Sequence, residues 1–283
     1  MRKSSHMRIC RWVLVGALVA GNSLATLAQN TTTLAAPQSA GSGQVKSRSL
    51  VWQAPLPVQG GDAYFTNLTN GDKIETPFVV KFGLSGGWGL APIAKASAGK
   101  SGHHHLLVNR DLPLDFKKAL PFSEQYIHFG KGQMETVLDL APGDYNLRLL
   151  LADQNHLPHF VYSKQLKITV TKKNLTTPTG LVAPNISLNV SSTELKRPFR
   201  VQFHASGLNV GQLAQQEAGT GHFKLVISPK SGASAVELNF VSGETETWLE
   251  PPIGDYVLSL DFVDNLKPGR IVAQAEPKAV RVN

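Results

Sequence analysis

An internal repeat constrains the fold of this chain more than any other feature of its sequence. Three blocks recur in the same order in both halves of the chain: Thr76–Phe82 with Arg197–Phe203, Gly102–Leu107 with Gly221–Val226, and Gly143–Leu149 with Gly254–Leu260. The offset between the copies falls from 121 residues at the first block to 111 at the last, so the second copy has lost length, mostly around Leu112 to Gln125. Each copy has the size of an immunoglobulin-like domain.

Short β-like segments fill both copies. Examples are 78–83, 145–151 and 166–170, and clusters of glycine and proline separate such segments. This spacing is typical of a β-sandwich and not of alternating strands and helices. The sequence therefore predicts an all-β protein with two tandem immunoglobulin-like β-sandwich domains, at residues 62–173 and 174–283.

The first 28 residues have the organisation of a secretory signal peptide. Basic residues precede a short apolar run from Trp12 to Gly21, and small residues follow up to Ala28. A bilayer span requires roughly 20 predominantly apolar residues, and no segment of the chain reaches that length. We expect a signal peptide at residues 1–28, a flexible leader at 29–61, no membrane span, and a periplasmic or secreted location.

Signal cleavage would also change the composition of the mature chain. It would remove Cys10, the single cysteine, so neither a disulfide nor a thiolate ligand is expected. The formal net charge of +8 would fall to +4, because four basic residues and no acidic residue lie in the signal. No basic run is interleaved with aromatic residues, so nucleic acid is not an expected partner.

Histidines concentrate in the first copy. Six of the nine histidines of the chain lie there, namely His103, His104, His105, His128, His156 and His159. Histidine is the commonest ligand of transition metals, and a cluster without cysteine suits copper, zinc or nickel. The sequence thus predicts a metal site with His103, His105, His128, His156 and His159 as candidate ligands.

The repeat assigns the three consecutive histidines to faces of a strand. Side chains alternate along a strand, and Phe223 of the second copy occupies the core-facing position that corresponds to His104. His103 and His105 then share the outer face, roughly 6.6 Å apart along the strand. Two imidazoles at that separation can converge on one ion, whose bonds to nitrogen are about 2.0 to 2.1 Å long. The alternative is that both are exposed polar residues or hydrogen-bond partners of a neighbouring loop.

Two further segments supply the remaining histidines. The loop 153–159 follows the longest apolar strand and carries His156 and His159, which either ligate the ion or brace the loop; Asp153 is expected to cap this turn. His128 begins a glycine-containing segment that permits close approach of backbone or ligand, and a structural role is also open to it. In the second copy Lys224 replaces His105 and Asn239 replaces His128, which predicts that this copy holds no metal.

Three motifs of the first copy together resemble an exported bacterial family, the domains of unknown function numbered 4399. They are Gly102–Asn109, His128–Thr136 and Leu149–His159, within a resemblance that spans about residues 63–171. The second copy resembles a diverged member. The resemblance implies a small exported β domain with the six histidines on the motif positions, and it implies no activity.

Three classes of function follow from these observations. The favoured one is a metal-binding protein whose cofactor is copper or zinc. The second is a structural or interaction module of the cell envelope, with an envelope protein as partner and no metal. The third is a metal-dependent enzyme, which would need an open coordination position and a base, and Glu135 is the one nearby carboxylate for that role.

Overall fold

A computed structural model describes residues 52–56, 62–94, 99–113, 115–175 and 184–283, and all regular structure in these ranges is β. No helix in this part of the chain is long and apolar enough to cross a membrane. The predicted signal peptide and most of the predicted leader lie outside the described residues.

The first copy forms ten strands. They are β1 (Ala63–Phe65), β2 (Lys73–Thr76), β3 (Phe78–Leu84), β4 (Gly89–Leu90), β5 (Ser101–Val108), β6 (Tyr126–His128), β7 (Glu135–Leu138), β8 (Gly143–Ala152), β9 (Pro158–Tyr162) and β10 (Leu166–Lys173). Strands β1, β3 and β7 form one sheet, and the other seven strands form a second sheet around the central pair β5 and β8.

The second copy repeats this arrangement. Its strands are β11 (Asn185–Val190), β12 (Glu194–Leu195), β13 (Phe199–Ser206), β14 (Asn209–Val210), β15 (Thr220–Pro229), β16 (Val236–Phe240), β17 (Glu246–Leu249), β18 (Gly254–Asp264), β19 (Ile271–Gln274) and β20 (Lys278–Val282). A sheet of three strands, β11, β13 and β17, again accompanies a sheet of seven strands around β15 and β18.

Apolar side chains fill the space between the two sheets of each copy. Alternate residues of the central strands point inwards, such as Leu106 and Leu149 in the first copy and Leu225 and Leu260 in the second, and all are buried. This alternation is that of a sheet with one face on a core. The predicted pair of tandem β-sandwiches is confirmed.

The two sandwiches contact each other through equivalent residues. The Val210 amide donates to the Gly132 carbonyl at 2.9 Å, and the Leu90 amide donates to the Gly243 carbonyl at 2.8 Å. Leu90 corresponds to Val210 and Gly132 to Gly243, so the interface is reciprocal, as in a two-fold symmetric dimer. A Cβ atom at either glycine would collide with the facing carbonyl oxygen, so both positions require glycine. Both copies belong to one compact unit, Arg48–Asn283.

A short piece of the predicted leader is ordered against the second copy. The Ala54 amide donates to the Trp248 carbonyl, and the Glu250 amide donates to the Trp52 carbonyl, so residues 52–54 extend the sheet at the edge of β17. The Trp52 ring packs on Tyr256 with ring centroids 5.7 Å apart. An open strand edge and an apolar ring thus hold this described part of the leader against the second copy; the rest of residues 29–61 lies outside the described residues.

Candidate metal centre

Strand β5 places its three histidines on two faces of the large sheet. His104 points into the core, with its ring centroid 5.5 Å from that of Phe82. His103 and His105 point to the outer face, yet none of the three side chains has any exposed surface. Outer-face histidines of a sandwich are normally solvated, so the burial of this pair means that other segments cover it.

Two of those segments carry further histidines. His128 on β6 lies directly opposite His105 in the strand pairing, and His156 lies in the loop between β8 and β9. The ring centroids of His103, His105, His128 and His156 are all between 4.8 and 5.7 Å apart. We call these four residues the histidine cluster.

The nitrogen atoms of the cluster face one another. One ring nitrogen from each of His103, His128 and His156 lies within 4.8 Å of the other two. The Nε2 atoms of His103 and His105 are 2.9 Å apart, at hydrogen-bonding distance. Each of the four residues also has one buried ring nitrogen without a hydrogen-bond partner in the described part of the chain.

A covering loop, described at residues 109–113 and 115–125, closes the outer face beside the cluster. Its residue Leu120 packs into a small apolar group with Leu107 and Leu150, and the Leu120 amide donates to the His156 carbonyl at 2.9 Å. The Phe122 ring touches two members of the cluster, with centroid distances of 5.0 Å to His128 and 4.6 Å to His156. This loop includes the stretch that the second copy has lost, so the extra length and the histidine cluster occur together.

The loop that carries His156 has a fixed and strained backbone. His156 has a φ of 62°, in the left-handed region that residues with a side chain seldom adopt. An Asp153 carboxylate oxygen accepts hydrogen bonds from the amides of Asn155 and Leu157, at 2.8 and 2.9 Å. Asp153 therefore caps the turn, as predicted, and the cap holds His156 in its position.

Gly130 makes room for His128. A Cβ atom at this position would lie 2.7 Å from the Nε2 atom of His128, much closer than such contacts allow. A side chain at position 130 would therefore displace the imidazole, so the glycine permits the close approach of backbone and ring that its sequence context indicated.

Burial favours the neutral form of three members of the cluster, His103, His105 and His128. Desolvation, with a smaller contribution from the neighbouring histidines, lowers the pKa of His103 to about 3 and that of His105 to about 2. The pKa of His128 is also lowered, first by burial and then by His156. Neutral imidazoles have a free lone pair, which is the form that binds a metal ion.

His159 lies outside the cluster. Its ring packs on Trp88, with centroids 4.8 Å apart, and hydrogen-bonds to the backbone of Ser101. The structure thus brings four of the five predicted ligands together and places the fifth on a neighbouring strand, β9.

Glu135, considered above as a base, lies elsewhere. One of its carboxylate oxygens is 3.0 Å from His204 Nε2 and accepts a hydrogen bond from the Ser206 hydroxyl, at the contact between the two copies. Within the described residues, the grouped potential ligands are histidines alone. The cluster therefore has donors for an ion, but Glu135 is not beside it.

The second copy replaces the cluster by ordinary polar contacts. His222, at the position of His103, has its Nδ1 atom 2.7 Å from the Asn265 side-chain oxygen. Lys224, at the position of His105, forms an ion pair with Asp261 at 3.0 Å. An ammonium group at this point repels a cation; the absence of a metal site from this copy stays a prediction.

Comparison with known protein families also finds two copies in the chain. A family profile described as Domain of unknown function (DUF4399) matches residues 80–171 and 201–281. None of the curated proteins matches the sequence.

The chain is also similar to solved structures of other proteins. They include fibronectin(III)-like modules of Clostridium thermocellum CbhA, with 11% identity over 78% of this chain and 92% of that chain and a TM-score of 0.24. A two-domain fibronectin type III segment of chicken tenascin has 14% identity over 77% and 95% of the two chains, with a TM-score of 0.21. The fold assignment rests on the strand pairings described above.

Proposed function

This chain belongs to the DUF4399 family, and we propose that it is a transition-metal-binding protein whose histidine cluster holds one copper or zinc ion. His103, His105, His128 and His156 are the proposed ligands. We further propose that the chain is exported through residues 1–28 and acts in the periplasm or outside the cell. The role is binding or handling of the ion, not catalysis.

One observation carries the proposal. Imidazoles from three separate segments meet, with His103 and His105 buried and His128 and His156 half-buried. One nitrogen from each of His103, His128 and His156 lies within 4.8 Å of the other two. Imidazole groups suit zinc and copper. In a tetrahedral site with bonds of about 2.1 Å the ligand nitrogens are roughly 3.4 Å apart. Nitrogens at the 4.8 Å limit therefore need to approach one another by about 1.4 Å. Rotation about the side-chain bonds of histidine provides movements of that size.

The unpaired nitrogen atoms of the cluster also favour binding of a metal ion. A buried polar group without a partner costs about 1–3 kcal/mol, and each member of the cluster contains such a nitrogen. An ion bound by these imidazoles would supply the missing partner of each nitrogen that ligates it. Since burial lowers the pKa of His103 and His105, protons compete little with the ion at these two ligands near neutral pH.

Copper spectroscopy tests whether the cluster is the site. The full chain, purified without a histidine tag and loaded with one equivalent of Cu(II), is expected to show nitrogen hyperfine coupling from several imidazoles in its electron paramagnetic resonance spectrum. His103→Asn and His156→Asn are each expected to change the copper parameters and the number of coupled nitrogens. Lys224→Asn, at the position of His105 in the second copy, is the control and should leave the spectrum unchanged. Identical spectra for all four proteins would refute the assignment.

A further inference from the structure

A second feature of the first sandwich lies apart from the histidine cluster. A cavity of about 590 Å³ opens between β1, β8 and the segment that joins β9 to β10. Its lining includes Phe65, Leu68, Arg148, Tyr162, Lys164 and Leu166. This volume lies within the range of roughly 300–1,000 Å³ that is usual for small-molecule sites.

Arg148 lies on β8, lines this cavity and is half-buried. Its Nε atom is buried and forms no hydrogen bond with any residue that the structure describes. In the part of the chain that the structure describes, its guanidinium forms no ion pair and no ring contact. A guanidinium is always charged, and burying part of it without an acceptor costs free energy. An anion in the cavity would remove that cost.

The other lining residues define the kind of anion. Lys164 is an exposed second cation in the lining, and Asp62 is the acidic residue among the described lining residues, so the charge is net positive. Phe65, Leu68 and Leu166 supply an apolar wall beside these charges. Guanidinium groups bind carboxylates through two parallel hydrogen bonds, and the apolar wall suits a hydrocarbon body.

The second copy has neither of the two cations at the corresponding positions. The Ser163 amide donates to the Leu149 carbonyl, as the Ala275 amide does to the Leu260 carbonyl, both at 2.9 Å, which fixes the correspondence. Ser259 then stands at the position of Arg148, and Glu276 at that of Lys164. If the fold itself required cations at these two positions, both copies would have them. The two cations therefore serve a purpose that is specific to the first copy.

From these observations we propose that the cavity binds a small organic carboxylate. The carboxylate group lies between Arg148 and Lys164, and the apolar body lies against Phe65, Leu68 and Leu166. This site is independent of the proposed metal, because none of its residues belongs to the histidine cluster.

Calorimetric titration of the metal-free full chain tests the site, with 4-phenylbutyrate as the probe. We expect saturable one-to-one binding that is at least tenfold weaker for 4-phenylbutanol, which has the same body without the charge. Arg148→Gln should weaken binding of the carboxylate at least tenfold, and Ser259→Gln, the equivalent position of the second copy, should not. Absence of saturable binding, or equal binding of the alcohol, would overturn the proposal.

A second variant allows the test to be interpreted even if Arg148→Gln does not fold correctly. Lys164 is exposed, so Lys164→Gln should leave the fold intact and weaken binding of 4-phenylbutyrate at least threefold. Unchanged affinity in Lys164→Gln together with unchanged affinity in a folded Arg148→Gln would also overturn the proposal. Neither variant should change the metal content of the protein, which separates this test from that of the histidine cluster.

Discussion

At the scale of single residues, three adjacent histidines have two different environments. His103 and His105 meet other histidines across the outer face, whereas His104 lies in the core against Phe82. Neither ring nitrogen of His104 has a partner among the described residues, and burial lowers its pKa to about 3. The core would therefore be more stable with an apolar ring at this position.

His104→Phe should stabilise the protein. The second copy has Phe223 at this position, opposite Phe262, whereas His104 lies opposite the smaller Leu151, so the larger ring has room. Removing the two unpaired nitrogens should raise the free energy of unfolding by about 1–3 kcal/mol in urea titrations at pH 7.5. The reciprocal change Phe223→His should lower it. A destabilised His104→Phe variant would show that His104 has partners in solution.

Gly130→Ala should weaken metal binding without unfolding the protein. The added methyl group would lie 2.7 Å from His128 Nε2 and displace this proposed ligand, while the backbone of Gly130 does not have a positive φ. Changes that reorient a ligand typically cost 10–100-fold in metal affinity. Competition with a chromophoric chelator measures the loss, and near-ultraviolet circular dichroism checks the fold. Unchanged affinity would mean that His128 is not a ligand.

At the scale of strands and loops, the covering loop is the main difference between the first copy and the second. It packs on Leu107 and Leu150 and brings Phe122, a residue that is 66% exposed, onto the half-buried His128 and His156. We therefore expect an ion to enter beside this exposed ring.

Phe122→Ala should therefore speed metal exchange more than it changes affinity. Stopped-flow mixing with Cu(II) should show association and dissociation rates that both rise several-fold, with the dissociation constant changed less than about threefold, as for loss of a gate. Trp88, whose ring packs on His159, offers a fluorescence signal close to the site. Unchanged rates would place the entry path elsewhere.

The repeat allowed much of this architecture to be predicted from the sequence. It indicated two sandwiches, and the comparison with Phe223 gave the inward direction of His104. The burial of His103 and His105 could not be predicted in this way, because they are covered by the rings of His128 and His156, which lie far from them in the sequence. The extra length around 112–125 was visible in the sequence, but its contact with His156 depends on tertiary structure.

At the scale of the whole molecule, the two sandwiches pack through a reciprocal contact. Gly132 and Gly243 both face a carbonyl of the other copy. In the sequence alone, neither can be distinguished from a glycine of an ordinary turn. This interface joins distant parts of the chain, so sequence patterns of a single strand do not reveal it.

The metal-free protein should lose stability in mild acid. Because burial lowers the pKa of His103, His104 and His105, the unfolded chain binds more protons than the folded chain below about pH 6.5. Their contribution to stability is complete above that pH and is lost as pH falls towards 3. Each histidine should cost about 1.4 kcal/mol between pH 7.5 and 5.5, or about 4 kcal/mol for the three.

Urea unfolding at the two pH values measures this loss. The His104→Phe variant is the internal control, since it should reduce the loss by about one third. Equal stability at pH 7.5 and 5.5 would contradict the buried neutral state of the three histidines.

Calorimetric titration of the metal-stripped full chain with copper and with zinc tests the central claim most directly. The account predicts one-to-one binding with micromolar or tighter affinity for at least one of the two ions. Binding should be lost in the double variant His103→Ala, His105→Ala and kept in Lys224→Ala, the matched position of the second copy. Absent binding, or binding that survives in the double variant, would contradict the account and leave the histidine cluster as a structural feature of the first sandwich.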